Sequence, residues 1–254
     1  MSNPFSLAGQ VALVTGSSRG LGVAFAEALG RAGAHVVLNA RGRDELERSA
    51  AALCAKGIAC SSRAFDVTDG AAVAAAISGI VAERGRLDTL VANAGIVHRA
   101  PLAEFSTADF RRVVEINLTA CFDLAREASR PMVKQGRGRL IFTTSIMGVV
   151  GRPTIPSYVA SKTGLIGLVR SLAAELGPQG VTANAIAPGY FKTELNKALW
   201  TDPKFNAMVE ARTPLGRWGL PPELGGAAVF LASDAASYVN GHNLVIDGGM
   251  TAVL

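Results

Sequence analysis

Aromatic residues are scarce in this chain of 254 residues, at 6%, and cysteines number three. Cys54, Cys60 and Cys121 are odd in number and lack the paired spacing of a metal site, so neither a zinc module nor a disulfide framework is expected. Each stands among alanines or apolar residues, where a free thiol is expected to act as a small buried hydrophobe. No apolar run approaches the ~18 residues of a membrane span. The opening "MSNPFSLAGQVALVTG" has no basic leader and no small-residue cleavage site, so the run from Val11 is expected to be a strand of a cytoplasmic protein rather than a signal. The net charge is +5, yet Lys and Arg are scattered and no basic run is interleaved with aromatics; nucleic acid is not an expected partner. A modest positive charge suits an anionic cofactor or substrate instead.

Hydrophobic residues are plentiful, at 49%, and they come in a rhythm. Short β-branched runs at 11–16, 35–40, 87–95, 138–145, 181–189 and 243–249 alternate with helix-forming segments at 20–32, 44–56, 69–84, 107–135 and 157–177. Continuous apolar strands imply burial on both faces, which predicts one α/β domain over 1–254 with a doubly wound parallel sheet. The stretch 189–219 breaks the rhythm with Tyr190, Phe191, Trp200, Phe205 and Trp218 among polar residues and prolines. It is expected to be an insertion over the sheet's edge that serves as a substrate lid.

"TGSSRGLG" follows the first strand, with Gly16, Gly20 and Gly22 spaced G-x-x-x-G-x-G. Glycines in a strand-to-helix turn let the backbone approach a pyrophosphate, and the helix N-terminus favours its charge. Ser18, Arg19 and Leu21 belong to the same loop. The second strand ends "VVLNARGRDEL", with Asn39 and Arg41 where an acidic residue would bind the ribose 2′-hydroxyl of NAD. Arg41 and Arg43 also precede a helix, where the dipole disfavours cations. A 2′-phosphate would offset that, so NADP(H) is expected over NAD(H), with Arg19 able to reach it from the other side. "FDVTD" presents Asp66 and the Val67 backbone to an adenine ring, or else Asp66 or Thr68 caps the next helix. "ANAG" brings Asn93, Ala94 and Gly95 close to the cofactor.

Tyr158 and Lys162, at i and i+4, share one helix face. A cation ~4 Å from a phenol, at an effective dielectric near 20, favours the phenolate by about 4 kcal/mol, which suits Tyr158 to acid/base work. Ser145 is placed to hold a carbonyl.

"TGSSRGLG", "NAG" at 93–95, "IN" at 116–117, "TTS" ending at Ser145, "YVASK" at 158–162 and "PGYFKT" at 188–193 resemble the short-chain dehydrogenase/reductase family, in the family's order and from about residue 7 onward. The resemblance implies a seven-stranded Rossmann fold, usually a homotetramer, with a Ser145–Tyr158–Lys162 set and an accessory Asn117 that helps hold a water relaying protons to Lys162. It also implies that Lys162 binds the nicotinamide ribose, that Pro188, Gly189 and Thr193 lie at the nicotinamide, and that Ile186 lies on the strand leading there. Within the family, "ANAGIVHRAPLAEF", "GRPTIPSY" and "PGYFKTELNKAL" are most similar to the gluconate 5-dehydrogenase branch. That implies a sugar acid as substrate, 5-keto-D-gluconate reduced to D-gluconate. Arg99 and Arg152 would then bind its carboxylate and His98 its hydroxyls, with Asn196 or Lys192 as further contributors. A 3-oxoacyl-(acyl carrier protein) reductase, another alcohol or polyol dehydrogenase of the family, and a non-catalytic cofactor-binding regulator remain open alternatives.

Overall fold

Aliphatic runs bounded by glycine or asparagine form the strands, and the Ala-, Leu- and Glu-rich segments between them form the helices. The computed structural model describes residues 3–253. It has β1 at Val11–Val14, α1 at Gly20–Arg31, β2 at His35–Ala40, α2 at Arg43–Cys54, β3 at Cys60–Ala64, α3 at Gly70–Arg84 and β4 at Thr89–Ala92. Then come α4 at Thr107–Val114, α5 at Ala120–Gln135, β5 at Gly138–Thr143, α6 at Pro156–Leu176 and β6 at Val181–Pro188. The chain ends through α7 at Lys197–Trp200, α8 at Pro203–Arg212, α9 at Gly225–Ala232 and β7 at Asn243–Ile246.

The strands form one parallel sheet in the order β3-β2-β1-β4-β5-β6-β7, as expected for a doubly wound fold. Successive residues of the central strands enter opposite cores. Leu13, Leu90 and Leu140 meet Leu124 of α5 and Leu165 of α6, whereas Val14, Val91 and Ile141 meet Phe25 of α1, Leu46 of α2 and Leu231 of α9. β1, β4 and β5 are buried throughout, so both faces must be apolar and no alternation shows in their sequence. The chain crosses from β3 at one edge to β4 beside β1. Connections leaving β1 and β4 therefore diverge, and the crevice between them opens at their carboxyl ends.

Three elements differ from the sequence pattern. β3, "CSSRA", is a half-exposed edge strand without an apolar run, so its own residues do not announce it. The stretch 107–135 is not one helix: a π-helical turn at Glu115–Thr119 joins α4 to α5 and carries the buried Asn117. Such turns recur where a helix must present a backbone or side chain irregularly. The stretch 189–219 contributes α7 and α8 and lies over the carboxyl end of the sheet rather than its edge, since Tyr190, Thr193 and Leu199 line the same crevice as the strand ends. Its base is pinned where the Gly219 N–H donates to Tyr190 and the Lys192 N–H donates to Gly219, both at 2.9 Å. A side chain on Gly219 would run into the Phe191 ring. Among the described residues, no helix is long and apolar enough to cross a membrane.

Candidate active site

Close backbone approaches shape the floor of the crevice. Gly16 adopts φ +63°, and a Cβ there would stand 2.9 Å from the Ala94 Cα. The Thr15 hydroxyl accepts the N–H groups of Asn93 and Ala94 at 3.0 and 3.2 Å, while the Asn93 amide donates to the Thr15 and Gly16 carbonyls at 3.0 and 3.1 Å. These bonds clamp the turn after β1 to the turn after β4. Gly22 stands behind the cavity, where a Cβ would overlap the Gly16 carbonyl oxygen. Gly22→Ala should lower Tm by about 5 °C, from an overpacking cost of about 1–3 kcal/mol, and weaken cofactor binding; calorimetry and a fluorescence titration would measure both. Gly20 differs: it has φ +60°, and its Cβ would meet only Thr193, at 4.0 Å. Open space above exposed backbone at the start of α1 suits an anion.

A cavity of about 780 Å³ gathers residues from successive strand ends. Gly16, Ser18, Arg19, Gly20 and Leu21 follow β1, Asn39 and Arg41 end β2, Asp66 and Val67 follow β3, and Asn93, Ala94 and Gly95 follow β4. Ser145 follows β5, Tyr158 and Lys162 come from α6, and Pro188, Gly189 and Thr193 follow β6. Arg99 and Arg152 line its outer part. Ile186 is buried within β6, its carbonyl accepting from Thr144 at 2.8 Å.

At the β2 end, Arg19 and Arg41 stand largely in solvent, each 3.8 Å from a carboxylate, Glu45 and Asp66 respectively. Arg43 instead pairs along its own helix with Glu47 at 3.7 Å. The Asn39 amide donates to the Arg63 and Phe65 carbonyls, both at 3.1 Å, so its donors stitch β2 to β3. Asp66 accepts from the Thr68 N–H and hydroxyl at 3.0 and 2.8 Å; the backbone bond above all, then the hydroxyl and Arg41, outweighs burial and holds its carboxyl below the usual range. Capping of α3 falls to Asp69, which accepts from Ala71 and Ala72, both at 3.0 Å.

At the other end, Tyr158 lies in the first turn of α6, beside its positive dipole end. Lys162 is buried, with Nζ 5.6 Å from the Tyr158 ring centre and donating to the Thr143 carbonyl at 2.6 Å. It has no carboxylate partner among the described residues. The Ser145 hydroxyl accepts the Met147 N–H at 3.1 Å, which leaves its own proton to donate into the cavity. Both N–H groups of the Asn117 side chain are engaged, donating to the Ile96 carbonyl at 2.9 Å and to Ser161 at 3.2 Å, while its oxygen accepts from the Ile96 N–H at 2.9 Å.

Arg99 and Arg152 approach each other. Burial chiefly, and then the Arg152 charge, push the Arg99 guanidinium below its ordinary range, while Tyr158 and Tyr190 act the other way. Arg152 donates to the Tyr190 hydroxyl at 3.3 Å and stacks on Phe205 at 4.6 Å. Tyr190, Phe205 and Trp218 pack edge-on or tilted at 5.4–6.4 Å. Among the described residues neither guanidinium has a carboxylate within ion-pair distance, an arrangement that suits an anion.

Sequence reasoning overlooked Thr15, Thr143, Ser161 and Tyr190. All four stand within quoted motifs, but only tertiary contacts reveal what they hold. Two expected contributors stand elsewhere. His98 faces Asp109 at 3.7 Å and the Phe105 ring at 5.0 Å, outside the cavity lining. Lys192 lies over Trp200 at 5.9 Å in a separate recess beside Ser18 and Arg19, away from the arginine pair. Asn196 does line the cavity, its amide donating to the Phe191 carbonyl at 3.3 Å.

Residues 16–251 match the family profile described as enoyl-(acyl carrier protein) reductase. Gluconate 5-dehydrogenase of Gluconobacter oxydans is 43% identical over the whole of both chains. The chain belongs to the short-chain dehydrogenase/reductase family. A second relative, 2-dehydro-3-deoxy-D-gluconate 5-dehydrogenase of Pseudoalteromonas atlantica, is also 43% identical, over 98% of each chain. A gluconate 5-dehydrogenase from Burkholderia cenocepacia, crystallised with NADP and tartrate, superposes with a TM-score of 0.96 at 42% identity, covering 99% of this chain and 98% of that one. As a short-chain dehydrogenase/reductase the protein is an NAD(P)-dependent oxidoreductase acting on CH–OH groups. Its own residues fit such a cofactor: open backbone at Gly20 for the pyrophosphate, two loosely paired arginines at the β2 end, and a buried uncompensated ammonium at the α6 end.

Proposed function

We propose that this enzyme interconverts 5-keto-D-gluconate and D-gluconate, or a closely related sugar acid, with NADP(H). The observation that carries the reading is the Arg99–Arg152 pair, which opens on the cavity that also holds Tyr158 and Ser145. A sugar acid presents a carboxylate to the arginines and, a few carbons along, a carbonyl to the hydroxyls. The relatives named for C5 oxidation of gluconate and of its 2-dehydro-3-deoxy analogue support the same chemistry.

In this reading, the Ser145 hydroxyl donates to the substrate carbonyl oxygen and fixes it for reaction. Tyr158 transfers its phenolic proton to that oxygen during reduction and takes it back during oxidation. Bound NADP(H) supplies or accepts the hydride at the substrate carbon. Lys162, held by the Thr143 carbonyl, stabilises charge at Tyr158 and hydrogen-bonds the nicotinamide ribose. Asn117 anchors Ile96 and helps hold a water that relays protons to Lys162. The stretch 189–219 serves as the lid of a single domain, with Arg152 touching it through Tyr190 and Phe205. Exposed Phe110 and Phe122 on α4 and α5 support assembly as a homotetramer, which light scattering would test.

Preference for NADP(H) rests on Arg41 and Arg19. Arg41→Ala is expected to raise KM for NADPH by about 10- to 100-fold with that for NADH changed less than about threefold. Equal effects on the two would remove Arg41 as a phosphate reader. The substrate reading is tested by steady-state rates with 5-keto-D-gluconate, 2-dehydro-3-deoxy-D-gluconate's C5-keto form, a neutral ketose and an acetoacetyl thioester, each with both cofactors. Faster turnover of the thioester than of any sugar acid would overturn it.

A further inference from the structure

Cys54 closes α2 and Cys60 opens β3, with the short turn 55–59 between them. The expectation of small buried hydrophobes holds for Cys121, but Cys54 is exposed and Cys60 only partly buried. Neither lies in the cavity lining. Their sulfurs stand 2.7 Å apart, within about 0.7 Å of a covalent S–S bond at ~2.05 Å. The approach is built into the backbone. The Gly57 N–H donates to the Cys54 carbonyl at 2.9 Å and the Ile58 N–H to the Leu53 carbonyl at 3.2 Å, while the Leu53 and Ile58 side chains are buried in the core. Gly57 takes φ +77°, the left-handed conformation that closes such a turn after a helix.

We propose that Cys54 and Cys60 are an oxidation site that closes to an intramolecular disulfide when the protein meets hydrogen peroxide. The exposed Cys54 sulfur attacks one peroxide oxygen, the O–O bond breaks, and the first water leaves, giving a sulfenic acid. The Cys60 sulfur then attacks the Cys54 sulfur, the S–O bond breaks, and the departing hydroxyl takes the Cys60 proton as a second water. The two sulfurs together lose two electrons, and the two peroxide oxygens gain them. Burial, with the contact to Cys54, pushes the Cys60 thiol up to about 12. That keeps it protonated at rest, so the exposed Cys54 is the thiol that meets the peroxide first, and Cys60 gives up its proton only as its sulfur closes on Cys54. The bond forms at the far end of α2, about 16 Å along the helix from Arg43 beside the cofactor cavity.

The test is peptide mapping of the reduced full-length protein after peroxide treatment and alkylation. Trypsin cleaves after Arg48, Lys56 and Arg63, so residues 49–56 and 57–63 stay together only through the disulfide. The joined peptide is expected in the wild type and in Cys121→Ser, is absent in Cys54→Ser and Cys60→Ser, and is released by dithiothreitol. Because the bond constrains the unfolded chain, the oxidised protein is expected to melt about 5 °C higher than the reduced one. Recovery of the two fragments separately from peroxide-treated wild type, with Cys54 alkylated or carried on to sulfinic acid, would overturn the proposal.

Discussion

Tyr158→Phe is expected to lower kcat by about 10²- to 10⁴-fold with every carbonyl substrate while the protein still binds NADP(H). The substitution removes one oxygen and leaves the ring that packs against Lys162, so the fold and the glycine turn are not disturbed. What is lost is a proton carrier set between a buried ammonium and the positive end of α6. No neighbouring hydroxyl replaces it readily, because Ser145 is oriented by its bond to the Met147 N–H and does not lie on the Lys162 helix. Stopped-flow hydride transfer and a cofactor fluorescence titration separate the two effects. Turnover within about tenfold of the wild type would remove Tyr158 from the chemistry. Ser145→Ala should fall less, by about 10²- to 10³-fold, as for loss of one preorganised donor.

The second large effect concerns the arginine pair. Arg99→Ala or Arg152→Ala should each raise KM for a sugar acid by about 10- to 150-fold, the value of a lost charge-assisted hydrogen bond of about 1.5–3 kcal/mol. A neutral ketose of the same length should be affected by less than about threefold. Electrostatics sets the sign. In the free enzyme the two guanidiniums repel each other, and a carboxylate relieves that repulsion as it binds. Arg152→Lys should recover only part of the loss, since an ammonium keeps the charge but neither the planar fork nor the stack on Phe205. Equal loss on the neutral ketose would mean that the pair shapes the cavity without reading charge.

Legibility differed between parts of the molecule for identifiable reasons. β1, β4 and β5 were plain in the sequence because strands buried on both faces must be apolar at every position. β3 was not, because an edge strand bordered by solvent needs no such run. The π-turn around Asn117 left no mark, since one additional residue in a helical turn alters the register without altering composition. Cys54 and Cys60 read as two unrelated thiols near alanines, and nothing in their six-residue separation says that a rigid turn aims them at each other.

The functional residues divide in the same manner. Gly16, Gly20, Gly22, Tyr158 and Lys162 stood out because their local constraint, a left-handed or crowded backbone in one case and a shared helix face in the other, is written in short-range spacing. The sequence by itself determined the family, the parallel sheet and the side of the sheet on which ligands sit. Tertiary structure alone decided that Arg99, from the loop after β4, comes near Arg152, from the loop after β5, that His98 beside it turns away to Asp109, and that Tyr190 and Phe205 of the stretch 189–219 hold Arg152 in place. Spacing along a chain reports only what one helix or turn can bring together. Convergence of loops from different strand ends depends on how the whole sheet twists and packs, and no local spacing records it.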